Sequence, residues 1–333
     1  MARSTIIPPS SNPDALRYYL VQYGGRCMAR STMQPGLWRF ALRDAGYLAF
    51  LPMPKFCRPP LARAVILSDP VADPAAVPEL LRAFLELWPR AVFLDIGRPV
   101  VEALRPLGFK AYPIGVESEL NLQGFSLSGG ARAKLRQWRN ACRRAGVSVR
   151  EEPFEQVDAN DILPLRRDWL ARKGGREMNF LTRPLPWRDE PDVRWFWARL
   201  DGRLLGMAGF DPMYRDGRVA GYYHNFDQTV RDAISGVSAY LVLQAMEIFR
   251  QEGRERLSLG LSPLSGLNRE YDLSRLQFWL MRQIYNYGGS FYPFKGNDRH
   301  KRQFAPSRTP MYAASNLTSF STAILGASAC GVI

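Results

Sequence analysis

A basic and aromatic segment near the carboxyl terminus, residues 291–312, combines side chains that could bind a charged ligand. Its members are Lys295, Arg299, Lys301, Arg302 and Arg308, interspersed with Phe291, Tyr292, Phe294, Phe304 and Tyr312. Cations set between aromatic rings suit a polyanion that also carries bases, such as the acceptor end of a tRNA. A basic strand–helix–strand edge whose aromatic residues are core would show the same spacing, so this segment alone leaves both interpretations open.

A second group of cations is predicted to lie on a helix over residues 128–146. One face of this helix carries four arginines, Arg132, Arg136, Arg139 and Arg143, while another face is apolar. Four like charges on one stripe repel each other by roughly a few tenths of a kcal/mol per pair, and a bound polyanion would relieve that repulsion. A solvated face on which arginine serves solubility is the alternative.

The overall composition favours an anionic partner. The formal net charge is +14 and the isoelectric point is about 9.9. Such a field attracts nucleic acid, anionic lipid headgroups or a phosphorylated cofactor. A hydrophobic content of 46% is that of a folded globular protein, and 333 residues are enough for two domains.

The cysteine, histidine and hydropathy patterns argue against a disulfide-bonded, metal-binding, secreted or membrane-spanning protein. The cysteines are scattered without a CxxC pair: Cys27, Cys57, Cys142 and Cys330. They predict reduced thiols in a cytosolic protein. His224 and His300 have no partner at metal-ligand spacing, so no metal site is expected. We expect no signal peptide and no membrane-spanning segment, and the apolar tail 317–333 predicts a packed or frayed terminal helix that could touch a membrane.

The order of predicted elements indicates an α/β fold with a mixed sheet. Two strands at residues 203–214 and 218–226 form a hairpin around Asp216-Gly217, followed by a helix at 236–252, a strand at 256–260 and a helix near 268–287. This is the order of an N-acyltransferase (GNAT-like) fold, and the first half of the chain has a similar order. We therefore predict two tandem GNAT-like domains.

The predicted boundaries divide the chain into three parts. Residues 1–150 form an amino-terminal domain, residues 151–316 a catalytic domain, and residues 317–333 the apolar tail. Within the second domain, residues 174–192 are rich in glycine, proline and charge without a regular period. That stretch predicts a mobile surface loop, which could serve as a lid.

Four motifs, in order between about residues 45 and 315, resemble the soluble catalytic part of the phosphatidylglycerol lysyl/alanyltransferases. They are LSDPV at 67–71, FSLSG at 125–129 before the basic helix, Gly236-Val237 with LGLSPLSG at 259–266, and FKG at 294–296 with Lys301, FAP at 304–306 and Tyr312. The sequence departs from the family at Asp298, Gln303 and residues 227–231, and we expect no counterpart in these 333 residues to the integral-membrane half of the full-length lipid enzymes. The departures leave the acceptor open between a lipid headgroup and a small hydroxyl or amine.

The resemblance implies transfer of an aminoacyl group from aminoacyl-tRNA, which would be the co-substrate without any further cofactor. The ester of an aminoacyl-tRNA is already activated, so the site needs positioning, proton transfer and oxyanion stabilisation rather than a covalent intermediate. The absence of GxSxG agrees with direct transfer.

Individual roles follow from this implied chemistry. Asp227 is expected to hold the ammonium group of the donor or to act as base, and Arg231 to bind phosphate or carboxylate. The two residues, at i and i+4, could share a helix face or a turn. Both could instead form a structural ion pair at a helix cap. Ser262 lies in a turn that could hold substrate or oxyanion, or that could be an ordinary turn. The tRNA 3′ end is assigned to Lys295, Arg299, Arg302 and Lys301, with Lys301 as best match to the family, and the arginine stripe is a second RNA contact.

Two other functions remain open from the sequence. An acetyl-CoA-dependent N-acetyltransferase would carry a Q/RxxGxG/A loop before the helix at 236, where this chain has RDAISGVS, which is one glycine short. A non-catalytic module that binds RNA or an anionic membrane would need only the basic surface. The expected location is the cytoplasm, with possible peripheral contact at the inner face of the membrane.

Overall fold

The computed structural model describes residues 4–53, 63–172, 180–290 and 292–330. The strands within these ranges are β1 (Ser4–Ile7), β2 (Trp38–Leu42), β3 (Gly46–Pro52), β4 (Arg63–Ala72), β5 (Arg90–Ile96), β6 (Lys110–Asn121), β7 (Ser148–Glu151), β8 (Arg194–Leu200), β9 (Arg203–Arg215), β10 (Arg218–Thr229), β11 (Arg256–Pro263) and β12 (Ser307–Ser315). The helices are α1 (Arg17–Tyr23), α2 (Val77–Leu87), α3 (Arg98–Leu104), α4 (Ala133–Arg144), α5 (Ala159–Arg172), α6 (Val237–Gln251), α7 (Arg275–Tyr287), α8 (Phe294–Arg302) and α9 (Ser319–Ala329). No helix of the described ranges is long and apolar enough to cross a bilayer.

The described strands join in one mixed sheet with the order β1-β2-β3-β4-β5-β12-β6-β11-β10-β9-β8-β7. The pairs β4–β5 and β10–β11 are parallel, and the other neighbouring pairs are antiparallel. Because strand β12 lies between β5 and β6, the last strand of the chain completes the half of the sheet that the first residues build. The division into domains at about residue 150 stays a prediction, but the two halves share continuous backbone hydrogen bonds through β12 and β6.

The sheet opens between β10 and β11. These strands pair in parallel over Gly221–Arg256, Tyr222–Leu257 and Tyr223–Ser258. Beyond that point β10 continues along β9 as far as Thr229, while β11 continues along β6 as far as Pro263. The two strands therefore diverge after Tyr223 and Ser258, and a wedge forms in the middle of the sheet.

Each half has its own apolar core. In the first half, Phe40, Phe50 and Phe84 pack edge to face between the sheet and α2. In the second half, Trp195 and Trp197 are buried in the core, whereas Trp187 is 42% exposed. Cys27 and Cys142 are buried and free, and Cys57 lies outside the described residues.

The local predictions hold best where the turn chemistry is strong. The hairpin of β9 and β10 turns at Asp216 and Gly217, both with positive φ, as predicted. Helix α7 begins later than predicted, because Ser274 and Gln277 form a reciprocal capping box that starts the helix at Arg275. Strands β1 and β8 have no counterpart among the predictions. The predicted terminal helix is present as α9, with Ala329 buried, and residues 331–333 lie outside the described residues.

The prediction of a mobile loop at 174–192 is wrong for its described part. Phe180 and Leu185 are buried, and Gln34 donates to the carbonyl of Phe180. The Arg183 guanidinium is 4% exposed; it donates to Asp211 at 2.9 Å and to Glu190 at 2.6 Å. A buried ion pair fixes this stretch in spite of its irregular sequence. Residues 174–179 lie outside the described residues.

We predict that Arg183→Met lowers the free energy of unfolding by about 3–5 kcal/mol, because it leaves the fully buried carboxylate of Asp211 without its charged partner. The matched control is Arg203→Met. Arg203 also pairs with a carboxylate, that of Asp232, but both side chains are more than half exposed and the expected cost is about 0–1 kcal/mol. Urea denaturation measures the stability of both variants. Equal midpoints would show that the Arg183–Asp211 pair contributes no more than the exposed pair.

Candidate active site

Helix α8 directs its side chains to two sides. Lys295, Arg299 and Arg302 lie at i, i+4 and i+7 and are exposed, so they form a cationic stripe on the outer surface. His300 and Lys301 are partly buried on the side that faces the rest of the protein. The sequence assigned Lys301 to the same RNA contact as Lys295 and Arg299. The structure separates Lys301 from them, and Phe291 of the same segment lies outside the described residues.

Lys301 reaches into the wedge between β10 and β11. Its Nζ donates to the carbonyl of Leu261, a residue of β11 beyond the point of divergence, at 2.8 Å. Burial lowers the pKa of Lys301 to about 8, although the nearby carboxyl groups of Glu117 and Asp95 oppose the shift. About a tenth of the side chain is therefore neutral at pH 7, and this form of the amine can take up a proton.

A cluster of carboxyl groups surrounds this region, and the sequence gave no role to any of them. Asp69, Asp95 and Glu117 come from β4, β5 and β6, and Arg26 bridges Asp69 (3.3 Å) and Glu117 (3.0 Å). Burial, together with repulsion from Glu117, raises the pKa of Asp95 to about 7. Asp69 belongs to the LSDPV motif at 67–71, but the motif gave it no role. Asp95 and Glu117 are ionisable residues in otherwise apolar strands, and that pattern could have identified them.

Several buried polar atoms on strands β5, β10 and β11 have no hydrogen-bond partner among the described residues. They are Asp95 Oδ1, Ser262 Oγ, His224 Nε2 and Gln228 Oε1. A buried polar atom without a partner is costly and marks a place where a polar ligand or water fits. Ser262, predicted to hold substrate, is fully buried and lies next to Leu261, the acceptor of the Lys301 hydrogen bond. Burial lowers the pKa of His224 to about 4, so this imidazole is neutral.

A pocket of about 370 Å³ lies between α8, α4, α6 and the end of β10, and His300 is one of the residues of α8 that line it. Asp227 lies in it and accepts a hydrogen bond from Ser238 of α6. The wall is aromatic, since His300 stacks on Trp138 with ring centroids 6.0 Å apart. Burial lowers the pKa of His300, and the negative charge of Asp227 opposes that shift. The pocket therefore offers one carboxylate among flat rings, an arrangement that fits an organic cation.

Arg231 does not reach this pocket by the helical spacing that the sequence suggested. Asp227 is a residue of strand β10, which continues to Thr229, and Arg231 follows in an exposed turn. The Arg231 backbone N–H donates to Asp168 at 3.2 Å. Asp227 and Arg231 therefore do not share a helix face, and the proposed i, i+4 arrangement is wrong.

The arginine stripe of α4 divides into two parts. Arg132 donates to the carbonyl of Phe304, and Arg136 donates to the carbonyls of Leu127 and Gly129. These two arginines therefore hold the structure around the 125–129 motif. Arg139 and Arg143 instead line a larger groove of about 630 Å³ between α4 and α6, where they remain available to an anion.

Comparisons with known proteins agree with the resemblance. The family model described as "Phosphatidylglycerol lysyltransferase, C-terminal" matches residues 56–315. The phosphatidylglycerol lysyltransferase of Bacillus subtilis is 24% identical over 94% of this chain and 36% of its own length. The chain thus spans about a third of the length of the curated relatives that it matches first.

Two solved structures match nearly the whole chain. That of L-PGS from Bacillus licheniformis has a TM-score of 0.80 at 19% identity, covering 98% of this chain and 99% of that one. The C-terminal domain of a putative lysylphosphatidylglycerol synthetase from Agrobacterium fabrum has a TM-score of 0.75 at 21% identity, with 96% of each chain covered. These matches confirm the predicted fold class. Since the family model covers most of the sequence, the chain belongs to the family of the phosphatidylglycerol lysyltransferase C-terminal domain.

Proposed function

We propose that this chain is an aminoacyltransferase that moves an aminoacyl group from aminoacyl-tRNA to a phospholipid headgroup or to a small hydroxyl or amine. The observation that carries the proposal is the order of charges across α8. Lys295, Arg299 and Arg302 are exposed outside, and carboxyl groups lie inside, at Asp227 and around Lys301. Aminoacyl-tRNA has the complementary order, because a polyanionic chain ends in a cationic amino acid.

The acceptor is proposed from the family. The curated relatives are named for lysyl transfer to phosphatidylglycerol, and a polyol headgroup offers the hydroxyl that the reaction needs. For this chain a small-molecule acceptor is the second possibility, to be separated by assay. We place the reaction in the cytoplasm, at or near the inner face of the membrane.

The proposed reaction is one acyl transfer without a covalent enzyme intermediate. The acceptor oxygen or nitrogen attacks the ester carbonyl, and its proton passes to neutral Lys301. The tetrahedral oxyanion then collapses, the bond to the ribose oxygen breaks, and Lys301 returns the proton to that oxygen. Asp227 holds the ammonium group of the donor, and the hydroxyl of Ser262 is available to the oxyanion.

The geometry argues against acyl-CoA as donor. A pyrophosphate would need the free amides at the start of α6, but Trp138 lies so close to Gly236 that a Cβ there would be 2.4 Å from Trp138 atoms. The carboxylate of Asp227 in the same pocket would also repel a pyrophosphate. The aromatic wall and the acid both suit a cationic end group better.

The direct test incubates the purified protein with charged tRNA and with vesicles containing phosphatidylglycerol or a panel of small hydroxyl and amine acceptors. Product with charged tRNA supports the proposal, and the productive acceptor identifies the second substrate. Product only with acetyl-CoA would establish an acetyltransferase instead. Salt-dependent RNA binding without any product would indicate a non-catalytic module.

We predict that Asp227→Asn lowers kcat/KM for aminoacyl-tRNA by about 10- to 100-fold, because a hydrogen bond to a charged group contributes about 1.5–3 kcal/mol. The control is Asp232→Asn, which removes an exposed carboxylate from the turn just after β10 and should leave kcat/KM nearly unchanged. Steady-state transfer of a radiolabelled amino acid measures both. If kcat/KM falls equally in the two variants, Asp227 does not bind the donor.

We also predict a pH dependence that comes from Lys301. Its pKa is lowered to about 8, and the neutral form is the active base, so the transfer rate should rise as pH increases and level off above about 8. Lys301→Arg keeps a positive charge that does not titrate, and should both slow transfer and abolish that rise. The matched control is Lys295→Arg, on the exposed face of the same helix, which should keep the wild-type profile. An unchanged inflection in Lys301→Arg would show that another group is the base.

A further inference from the structure

Helix α7 presents an apolar face that nothing in the described structure covers. Ten large hydrophobic side chains are exposed among the described residues, and five of them lie on this single helix of 13 residues: Leu276, Trp279, Leu280, Ile284 and Tyr287. Scattered exposed apolar residues are ordinary, but half of them on three turns of one helix form a contiguous patch. Leu276, Leu280, Ile284 and Tyr287 follow i, i+4, i+8 and i+11, so they share one stripe.

Two side chains of α7 outside the stripe attach the helix to the protein. Tyr285 donates to the buried carboxylate of Asp298 at 3.1 Å, and Gln277 donates to Ser319 at 2.8 Å. The capping box of Ser274 and Gln277 fixes the first turn. The apolar stripe therefore belongs to a well-anchored helix and is directed away from the protein by that attachment.

The charges beside the stripe identify its partner. Arg275 and Arg282 are exposed on α7, and the helix contains no aspartate or glutamate. An apolar stripe bordered by cations, with tryptophan and tyrosine among the exposed rings, is typical of a helix that lies in the headgroup region of an anionic bilayer.

The length of the helix agrees with that position. Thirteen residues span about 20 Å, whereas the hydrocarbon core is about 30 Å thick, so α7 can lie in the surface but cannot cross it. A second copy of the chain is a poorer partner, because two molecules of net charge +14 would bring like-charged rims together. An RNA would leave the leucine and isoleucine side chains without a partner.

We propose that the exposed face of α7 is a docking surface for an anionic phospholipid bilayer. The leucine, isoleucine and aromatic side chains enter the interface, and Arg275 and Arg282 of α7 contact the headgroups. The inference goes beyond the proposed function, because docking requires neither tRNA nor transfer and is measured without them.

The test is flotation of the whole protein with vesicles of phosphatidylcholine, with and without phosphatidylglycerol. The wild-type protein should float with the anionic vesicles and bind pure phosphatidylcholine much more weakly. The triple variant Leu276→Ser, Leu280→Ser, Ile284→Ser should lose at least about tenfold in partition coefficient. Each of these side chains removes apolar surface from water when it enters the bilayer, and serine does not. The matched control is Leu163→Ser, which replaces a 52% exposed leucine on α5 and should bind like wild type.

A second variant separates charge from hydrophobicity. Arg275→Glu with Arg282→Glu should reduce binding to anionic vesicles and flatten its salt dependence, while the affinity for neutral vesicles changes little. Thermal unfolding of every variant checks that the fold is kept.

The proposal is overturned if the folded triple variant binds anionic vesicles as well as the wild-type protein does, whether or not transfer activity is found. Wild-type dimers that the triple variant abolishes, with vesicle binding unchanged, would assign the face to a second copy, and loss of tRNA binding alone would assign it to RNA.

Discussion

The divergence of β10 and β11 is the constraint on which the rest of the site depends. Two parallel strands that separate after three residue pairs leave backbone groups of both edges unpaired in the middle of a sheet, and such groups need partners. The ammonium group of Lys301 supplies one, by donating to the Leu261 carbonyl. The same hydrogen bond holds a side chain that can transfer protons in the wedge. Support of the fold and placement of the proposed proton acceptor are thus one interaction.

The wedge also explains how a strongly cationic protein can hold several carboxyl groups at its centre. Asp69, Asp95 and Glu117 enter from neighbouring strands, and desolvation alone would make three ionised groups there unfavourable. Arg26 balances two of them, and the pKa of Asp95 rises to about 7, so part of the charge is removed by protonation. Carboxyl groups therefore lie in the interior of a protein whose surface is positively charged. The surface favours anionic ligands, and the interior favours cationic groups.

Periodicity and turn chemistry were enough to predict most local elements, but not the pairing that assembles the site. The hairpin at Asp216-Gly217 and helix α6 follow directly from local signals. Strand β8 does not, because its buried residues Trp195–Ala198 are apolar at every position and follow an irregular charged stretch, so there is no alternation to detect. The position of β12 between β5 and β6 depends on contacts roughly 200 residues apart in sequence, for which a single sequence carries no local signal.

The candidate site shows the same division between local and long-range information. Ser262 and Lys301 were singled out because each lies in a motif that resembles the family, whereas Asp227 lies in a segment that departs from it. Arg231 does not share a helix face with Asp227, because β10 is three residues longer than predicted. Asp95 and Glu117 were missed because neither lies in a motif, and only the sheet brings them together. Local patterns identify residue types that can react, whereas sheet topology decides which of them meet.

The buried carboxylate of Asp298 connects the proposed docking helix to the proposed chemistry. It accepts hydrogen bonds from Tyr285 of α7 (3.1 Å), from Arg302 of α8 (2.8 Å) and from Arg308 of β12 (2.6 Å). A buried acid with three donors is costly to rearrange, because moving any partner exposes an uncompensated charge. The orientation of α7 therefore sets the orientation of α8. Because α8 also carries Lys301, a bilayer that fixes α7 would fix the distance and angle of the reactive amine relative to the lipid headgroups. A family departure that looked like a loss in the sequence, an acid at 298, thus has a structural role as the junction of three elements.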